Sequence, residues 1–163
     1  AVQNQSGLDI DALIKHKNEG SPVQTFPGGQ AMDSDEIVGV KCDIWIPAAR
    51  PDVLTENNVD QLKARLVIHG ANIPATETAE QLMHKRGILN IPDFIANAGG
   101  VICAAVEFSG GSESQVMDTI GEKIRTNTLE TLERSKRENL SPREAGVKMA
   151  LSRIERAMAD SDT

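Results

Sequence analysis

Ile91-Pro92-Asp93-Phe94-Ile95-Ala96-Asn97-Ala98-Gly99-Gly100-Val101 closes a short apolar run, and its reading decides the fold. The run that feeds it, Ile88-Leu89-Asn90-Ile91, is one of three with a shared pattern. Upstream, Leu66-Val67-Ile68-His69 ends at Gly70-Ala71-Asn72, and Cys42-Asp43-Ile44-Trp45-Ile46 ends at Pro47-Ala48-Ala49. Each run is short, rich in β-branched residues and closed by a turn, which is the signature of a strand. The intervening segments, 55–64 and 76–86, carry helical patterns, and Gly87 stops the second. Strand, helix, strand, helix, strand at this spacing predicts parallel strands joined by crossover helices. Apolar residues on both faces of each run fit a sheet covered on both sides. The expected fold is therefore α/β, a partial Rossmann-type (doubly wound) parallel sheet followed by C-terminal helices.

Outward from these runs, residues 8–19 place Leu8, Ile10, Leu13 and Ile14 among charges, an amphipathic helix stopped by Gly20 and Pro22. Residues 21–32 read as a loop, and Asp33 or Ser34 could cap a short helix through Ile37 and Val38. After Gly100, Val101 to Phe108 reads as a helix broken by Gly110-Gly111. Residues 114–138 form a long helix with Val116, Ile120 and Ile124 on one face. Ser141-Pro142-Arg143-Glu144 is a helix start: a capping Ser, Pro in the first turn, and Glu three residues after the cap. Val147, Leu151, Ile154 and Met158 then give an apolar stripe. We expect 1–111 to be the second half of a dinucleotide-binding domain and 112–163 a helical segment packed on it.

Composition narrows the function. With 163 residues and 39% hydrophobic content, the chain can form a packed core, but 2% aromatics leaves that core to Ile, Leu, Val, Ala and Met. A net charge of −7 argues against a nucleic-acid partner, which requires a basic surface. The basic residues in Glu133-Arg134-Ser135-Lys136-Arg137-Glu138 are bracketed by acids and read as a solvated helix face. Cys42 and Cys103 make no disulfide framework and are expected as small buried apolar groups in a reducing compartment; neither has a nearby base. No run approaches the ~20 apolar residues of a membrane span, and residues 1–7 do not resemble a signal peptide. The expected location is the cytoplasm.

In open parallel sheets, ligands bind at the carboxyl ends of the strands. Those ends are Pro47-Ala48-Ala49, Gly70-Ala71-Asn72 and the stretch from Pro92 to Gly100. The pattern G-x-G-x-x-G is absent, as is a P-loop, and Pro27-Gly28-Gly29 reads as a plain turn. Asn72 and Asn97 follow strand ends, where an amide can donate and accept at once, as a ribose or carboxamide demands; alternatively each bonds its own loop. Gly99-Gly100 permits close approach by a ligand or by a packed helix. His69 reads as structural, and His16 and His84 as surface residues. Asp93 and Glu107 are the acids near the cleft, with Glu107 suited to pairing or capping. No metal-ligand spacing occurs.

Taken together, Cys42-Asp43-Ile44-Trp45-Ile46-Pro47-Ala48-Ala49, Gly70-Ala71-Asn72-Ile73-Pro74 and the 91–101 stretch resemble, in order and spacing, three motifs of the glutamate/leucine/phenylalanine/valine dehydrogenase family. The Gly-Ala-Asn-x-Pro segment is most similar to the glutamate branch. The resemblance implies oxidative deamination of an L-amino acid, glutamate first, to a 2-oxo acid with hydride transfer to NAD or NADP. It implies that Asn72 and Asn97 contact the nicotinamide ribose and carboxamide, and that Ala48 and Ala49 border the cofactor through their backbone. It further implies that Val101 faces the substrate side chain. Ala104 departs from the pattern, since glutamate-specific members carry there a serine that bonds the substrate's distal carboxylate. The family's catalytic lysine and aspartate, its phosphate-binding glycines and its ribose-binding acid match nothing in this chain. It is therefore expected to be a piece of a larger enzyme, inactive alone, whose partners are the rest of its own chain, further copies and small molecules. The alternative is a non-catalytic truncated paralogue acting as a binding or oligomerisation module.

Overall fold

The computed structural model describes residues 1–161. It comprises two compact units, Ala1–Lys41 with Gln61–Lys63, and Cys42–Asp60 with the chain from Ala64 onward. In the first unit, β1 (Val2–Gln3) pairs antiparallel with β2 (Gln30–Ala31). Helix α1 (Ile10–Asn18) starts where the Asp9 carboxylate accepts from the Ala12 amide at 3.0 Å. A side-chain acceptor at this position satisfies one of the orphan N–H groups of the first turn. Phe26 and Val38 supply buried apolar surface, whereas Ile10 and Ile14 of α1 stay exposed. The expected short helix after Ser34 is a 3-10 helix at Asp35–Gly39. Asp33, not Ser34, accepts the Asp35 amide there.

The second unit carries the sheet. Strands β3 (Ile44–Trp45), β4 (Leu66–Ile68) and β5 (Leu89–Ile91) run parallel in the order β3-β4-β5, and Trp45, Val67 and Asn90 lie in register. Helix α2 (Glu77–Lys85) joins β4 to β5. Thr76 caps it, accepting from the Ala79 amide, and the chain turns at Gly87 with φ +73°. Past β5 come α3 (Asp93–Ala96), α4 (Gly99–Phe108), α5 (Glu113–Glu138) and α6 (Pro142–Ser161). A capping box of Ser112 and Gln115 opens α5, and Asn139 ends it in the left-handed region at φ +54°. At the start of α6 the Ser141 amide donates to the Glu144 carboxylate at 2.9 Å, and the Glu144 amide donates back to Oγ of Ser141.

Ile91, Ile95 and Met149 form a buried cluster flanked by Leu66, Ile68, Ala96 and Leu132, so α6 closes over the end of the sheet. Full burial of such side chains contributes about 1.5–3 kcal/mol each.

Two expectations require correction. Residues 55–64 do not form a helix; only a 3-10 turn at Val59–Gln61 appears. Asn58 explains this, because its side-chain oxygen accepts the Thr55 amide and its NH2 donates to the Val53 carbonyl, both at 2.8 Å. An asparagine that bonds nearby backbone in this way competes with the helical ladder. On α6, the expected apolar stripe faces outward: Val147, Leu151, Ile154 and Met158 are all at least 45% exposed. The buried positions are Pro142, Ala145, Gly146 and Met149. At this packed face small residues win, since a Cβ on Gly146 would stand 3.0 Å from the Phe94 ring.

Candidate functional site

The three loops at the carboxyl ends of the strands are stitched together by backbone. The Gly70 and Ala71 amides donate to the Pro47 carbonyl at 3.1 and 2.9 Å, joining the first loop to the second. Gly70 packs closely on the first loop: a Cβ there would stand 3.0 Å from the Ala48 Cβ, tighter than ordinary contact. On the other side the His69 amide donates to the Ile91 carbonyl at 3.1 Å, joining β4 to β5.

This arrangement brings the two asparagines into contact. Nδ2 of Asn97 donates to Oδ1 of Asn72 at 2.7 Å. Asn97 is fixed as the C-cap of α3, where its amide donates to the Asp93 carbonyl at 2.8 Å. After this bond, Asn72 still has two N–H donors and Asn97 an amide oxygen. One free donor group beside one free acceptor is the complement of a primary carboxamide or of adjacent ribose hydroxyls.

The remaining predicted residues lie on the first loop and on α4. Ala48 and Ala49 are exposed on the first loop. Val101 and Ala104 lie exposed on α4, the helix that follows Asn97. Val101 lines a groove of about 620 Å³ between α4 and α5, together with Ile102, Ala105, Val106 and Thr119; Ala104 is not part of that lining. Gly100 has open space where a side chain would be, and Gly99 lies against Ile120. Cys42 and Cys103 are free thiols, each half-buried rather than enclosed as expected.

Asp93, whose carbonyl accepts the Asn97 amide, belongs to a charged cluster whose connections sequence reading does not reveal. Arg143, on the first turn of α6, donates to both oxygens of Glu80 at 2.5 and 2.7 Å and to Oδ1 of Asp93 at 2.8 Å. Its guanidinium also stands 5.3 Å over the Phe94 ring. The other Asp93 oxygen accepts the Ile73 amide at 2.9 Å. Burial works against the Asp93 carboxylate, but the Ile73 amide and Arg143 outweigh it and hold its pKa below the usual range. Burial raises the Glu80 pKa, and Arg143 offsets this only in part. The two carboxylates in turn favour the charged guanidinium. His69 is wholly enclosed, 3.7 Å from Glu80, and neither ring nitrogen has a hydrogen-bond partner. Burial lowers its pKa to about 4, with Asp93 opposing and Arg143 assisting. Arg143 lies 50 residues from Asp93 and 63 from Glu80, and Ser-Pro-Arg-Glu reads locally as a cap, so no local pattern reveals this partnership.

Among the described residues, no group of three or more His, Cys, Asp or Glu side chains could hold a metal ion, and no helix is long and apolar enough to cross a membrane.

A parallel sheet with helices following its strands is the open α/β architecture, in which ligands bind at the carboxyl ends of the strands. Residues 1–161 match the family model for Glutamate/Leucine/Phenylalanine/Valine dehydrogenase, and the chain belongs to that family. Among solved structures it is similar to the L-tryptophan dehydrogenase of Nostoc punctiforme, at 26% identity and a TM-score of 0.75 over 84% of this chain and 41% of that one. The hetero-hexameric glutamate dehydrogenase of Thermus thermophilus shares the fold at 22% identity, TM-score 0.78, over 94% and 38%. The glutamate dehydrogenase of Peptoniphilus asaccharolyticus does so at 24% identity, TM-score 0.73, over 96% and 36%. The chain thus spans about two fifths of the length of these relatives.

Proposed function

We propose that this chain is the cofactor side of an amino-acid dehydrogenase that oxidatively deaminates an L-amino acid to a 2-oxo acid. The observation that carries the reading is the bond between Asn97 and Asn72 at the tips of neighbouring parallel strands, in a chain of this family. Bound NAD or NADP would supply the hydride acceptor. The residues here bind and orient it. The free Asn72 N–H groups and the Asn97 oxygen hold the carboxamide and ribose, while Ala48 and Ala49 border the ring through their backbone. Val101 and Ala104 face the substrate side chain. Glutamate is the first candidate substrate, and Ala104 shifts recognition of its distal carboxylate onto groups outside this chain, since alanine cannot donate. The catalytic acid and base are supplied by the remainder of the enzyme, and the working assembly is an oligomer. The experiment is a panel of L-amino acids with NAD or NADP and the full-length protein, following reduced nicotinamide. Amino-acid-dependent reduction is expected, and its absence across the panel contradicts the reading.

A second reading, a non-catalytic association module, is favoured by one feature: β3 is an edge strand whose Ile44 and its neighbour Ile46 are 52% and 57% exposed. Self-association without turnover in the full-length protein selects it.

A further inference from the structure

We propose that Arg143 is a positioning residue for Asn72, acting through Asp93 and the left-handed backbone of Ile73. The inference rests on the reading of Asn72 and Asn97 as cofactor contacts.

Ile73 has φ +47°, a region that a β-branched residue rarely enters. Such a conformation is strained and persists only where the surroundings over-determine it. Two hydrogen bonds do so here. The Ile73 amide donates to Oδ2 of Asp93 at 2.9 Å, and its carbonyl accepts from the Asp52 amide at 2.9 Å. Ile73 directly follows Asn72, so its backbone sets where the Asn72 amide points. The same Asp93 supplies the carbonyl that accepts the Asn97 amide. One residue therefore fixes the loops of both asparagines: its side chain holds the Asn72 loop, and its main chain holds Asn97.

Asp93 is itself held by Arg143. Its side chain is 11% exposed, and a carboxylate at that depth needs a cation with fixed geometry. The guanidinium provides it, with one fork edge on Glu80 and Nη2 shared between Glu80 and Asp93. Lysine cannot reproduce that planar fork. The first turn of α6 thus reaches the candidate cofactor loop through a continuous chain: Arg143, Asp93, Ile73, Asn72.

The test uses the full-length protein and measures the dissociation constant of reduced nicotinamide cofactor by its fluorescence. The proteins compared are wild type, Arg143→Lys, Arg143→Met, Asn72→Ala, and the double variant Arg143→Met/Asn72→Ala. Melting temperatures show that each is folded. Arg143→Met is expected to weaken binding about five- to ten-fold, Arg143→Lys by less, and Asn72→Ala about ten-fold, each change amounting to about one hydrogen bond. The double variant is expected to bind within about two-fold of Asn72→Ala, because residues acting in series are non-additive. Folded Arg143 variants that bind like wild type overturn the proposal. So does a double variant whose losses multiply, or failure of both Arg143 variants to fold, which assigns the cluster to stability alone. Normal binding by Asn72→Ala instead removes the reading of Asn72 itself, whatever the Arg143 variants do.

Discussion

At position 69 a histidine is enclosed and neutral, because neither ring nitrogen finds a partner and burial disfavours the imidazolium. Its folded pKa of about 4 lies below the ordinary 6.5, so between these values the unfolded chain binds the proton more readily. Stability from this group is complete above pH 6.5 and falls as pH drops toward about 4. Glu80, with its raised pKa, acts in the opposite sense just above the ordinary carboxylate range. A comparison with His69→Gln isolates the histidine. Wild type should lose about 2 kcal/mol more than the variant between roughly pH 7 and pH 5, by denaturant melts of the full-length protein. Equal slopes contradict the assignment. A second prediction belongs to α4: Ala104→Ser should raise kcat/KM for glutamate over a neutral amino acid by about ten-fold, one charge-assisted hydrogen bond's worth. An unchanged ratio places Ala104 away from the substrate. At this scale the sequence places Asn72 and Asn97 after strand ends but leaves open that each bonds its own loop; their cofactor role comes from the family resemblance, and their mutual bond from the fold. Arg143 was not legible, because its role depends on Glu80 and Asp93, brought together only by tertiary packing.

The elements follow the same division. Runs with short-range signals formed where read: the three strands, α2 with its Gly87 stop, and the Ser141–Glu144 box at the head of α6. Ser141→Ala should cost about 1 kcal/mol in a denaturant melt. Met149→Ala should cost about 2–5 kcal/mol, since Met149 packs with Ile91 and Ile95 in the core. A loss under about 0.5 kcal/mol for Met149→Ala contradicts that packing. Periodicity alone misled in two places. The 55–64 segment has a helical pattern, but Asn58 binds the backbone of Val53 and Thr55. Leu54 meanwhile pairs with Ala75 in a parallel bridge. On α6 the stripe of Val147, Leu151, Ile154 and Met158 lies on the exposed face, whereas Ala145, Gly146 and Met149 mark the packed one. Hydrophobic periodicity finds the side with more bulk, whereas close packing here takes two small residues and one methionine.

For the whole molecule, the parallel strands and family membership place this chain within an amino-acid dehydrogenase architecture, spanning 41% or less of three solved relatives. Hydride transfer needs a substrate oriented against the cofactor and positioned acid–base groups, which we assign to the remainder of the enzyme. The isolated 163-residue chain should therefore show no amino-acid-dependent reduction of NAD or NADP. Detectable turnover by it contradicts the division of labour proposed. The most direct measurement is the affinity of the full-length protein for reduced nicotinamide cofactor before and after Asn97→Ala. Loss of the Asn97 amide should raise the dissociation constant about ten-fold while the melting temperature holds within a few degrees. An unchanged dissociation constant in the folded variant would show that the strand tips joined by Asn72 and Asn97 are not where the cofactor binds.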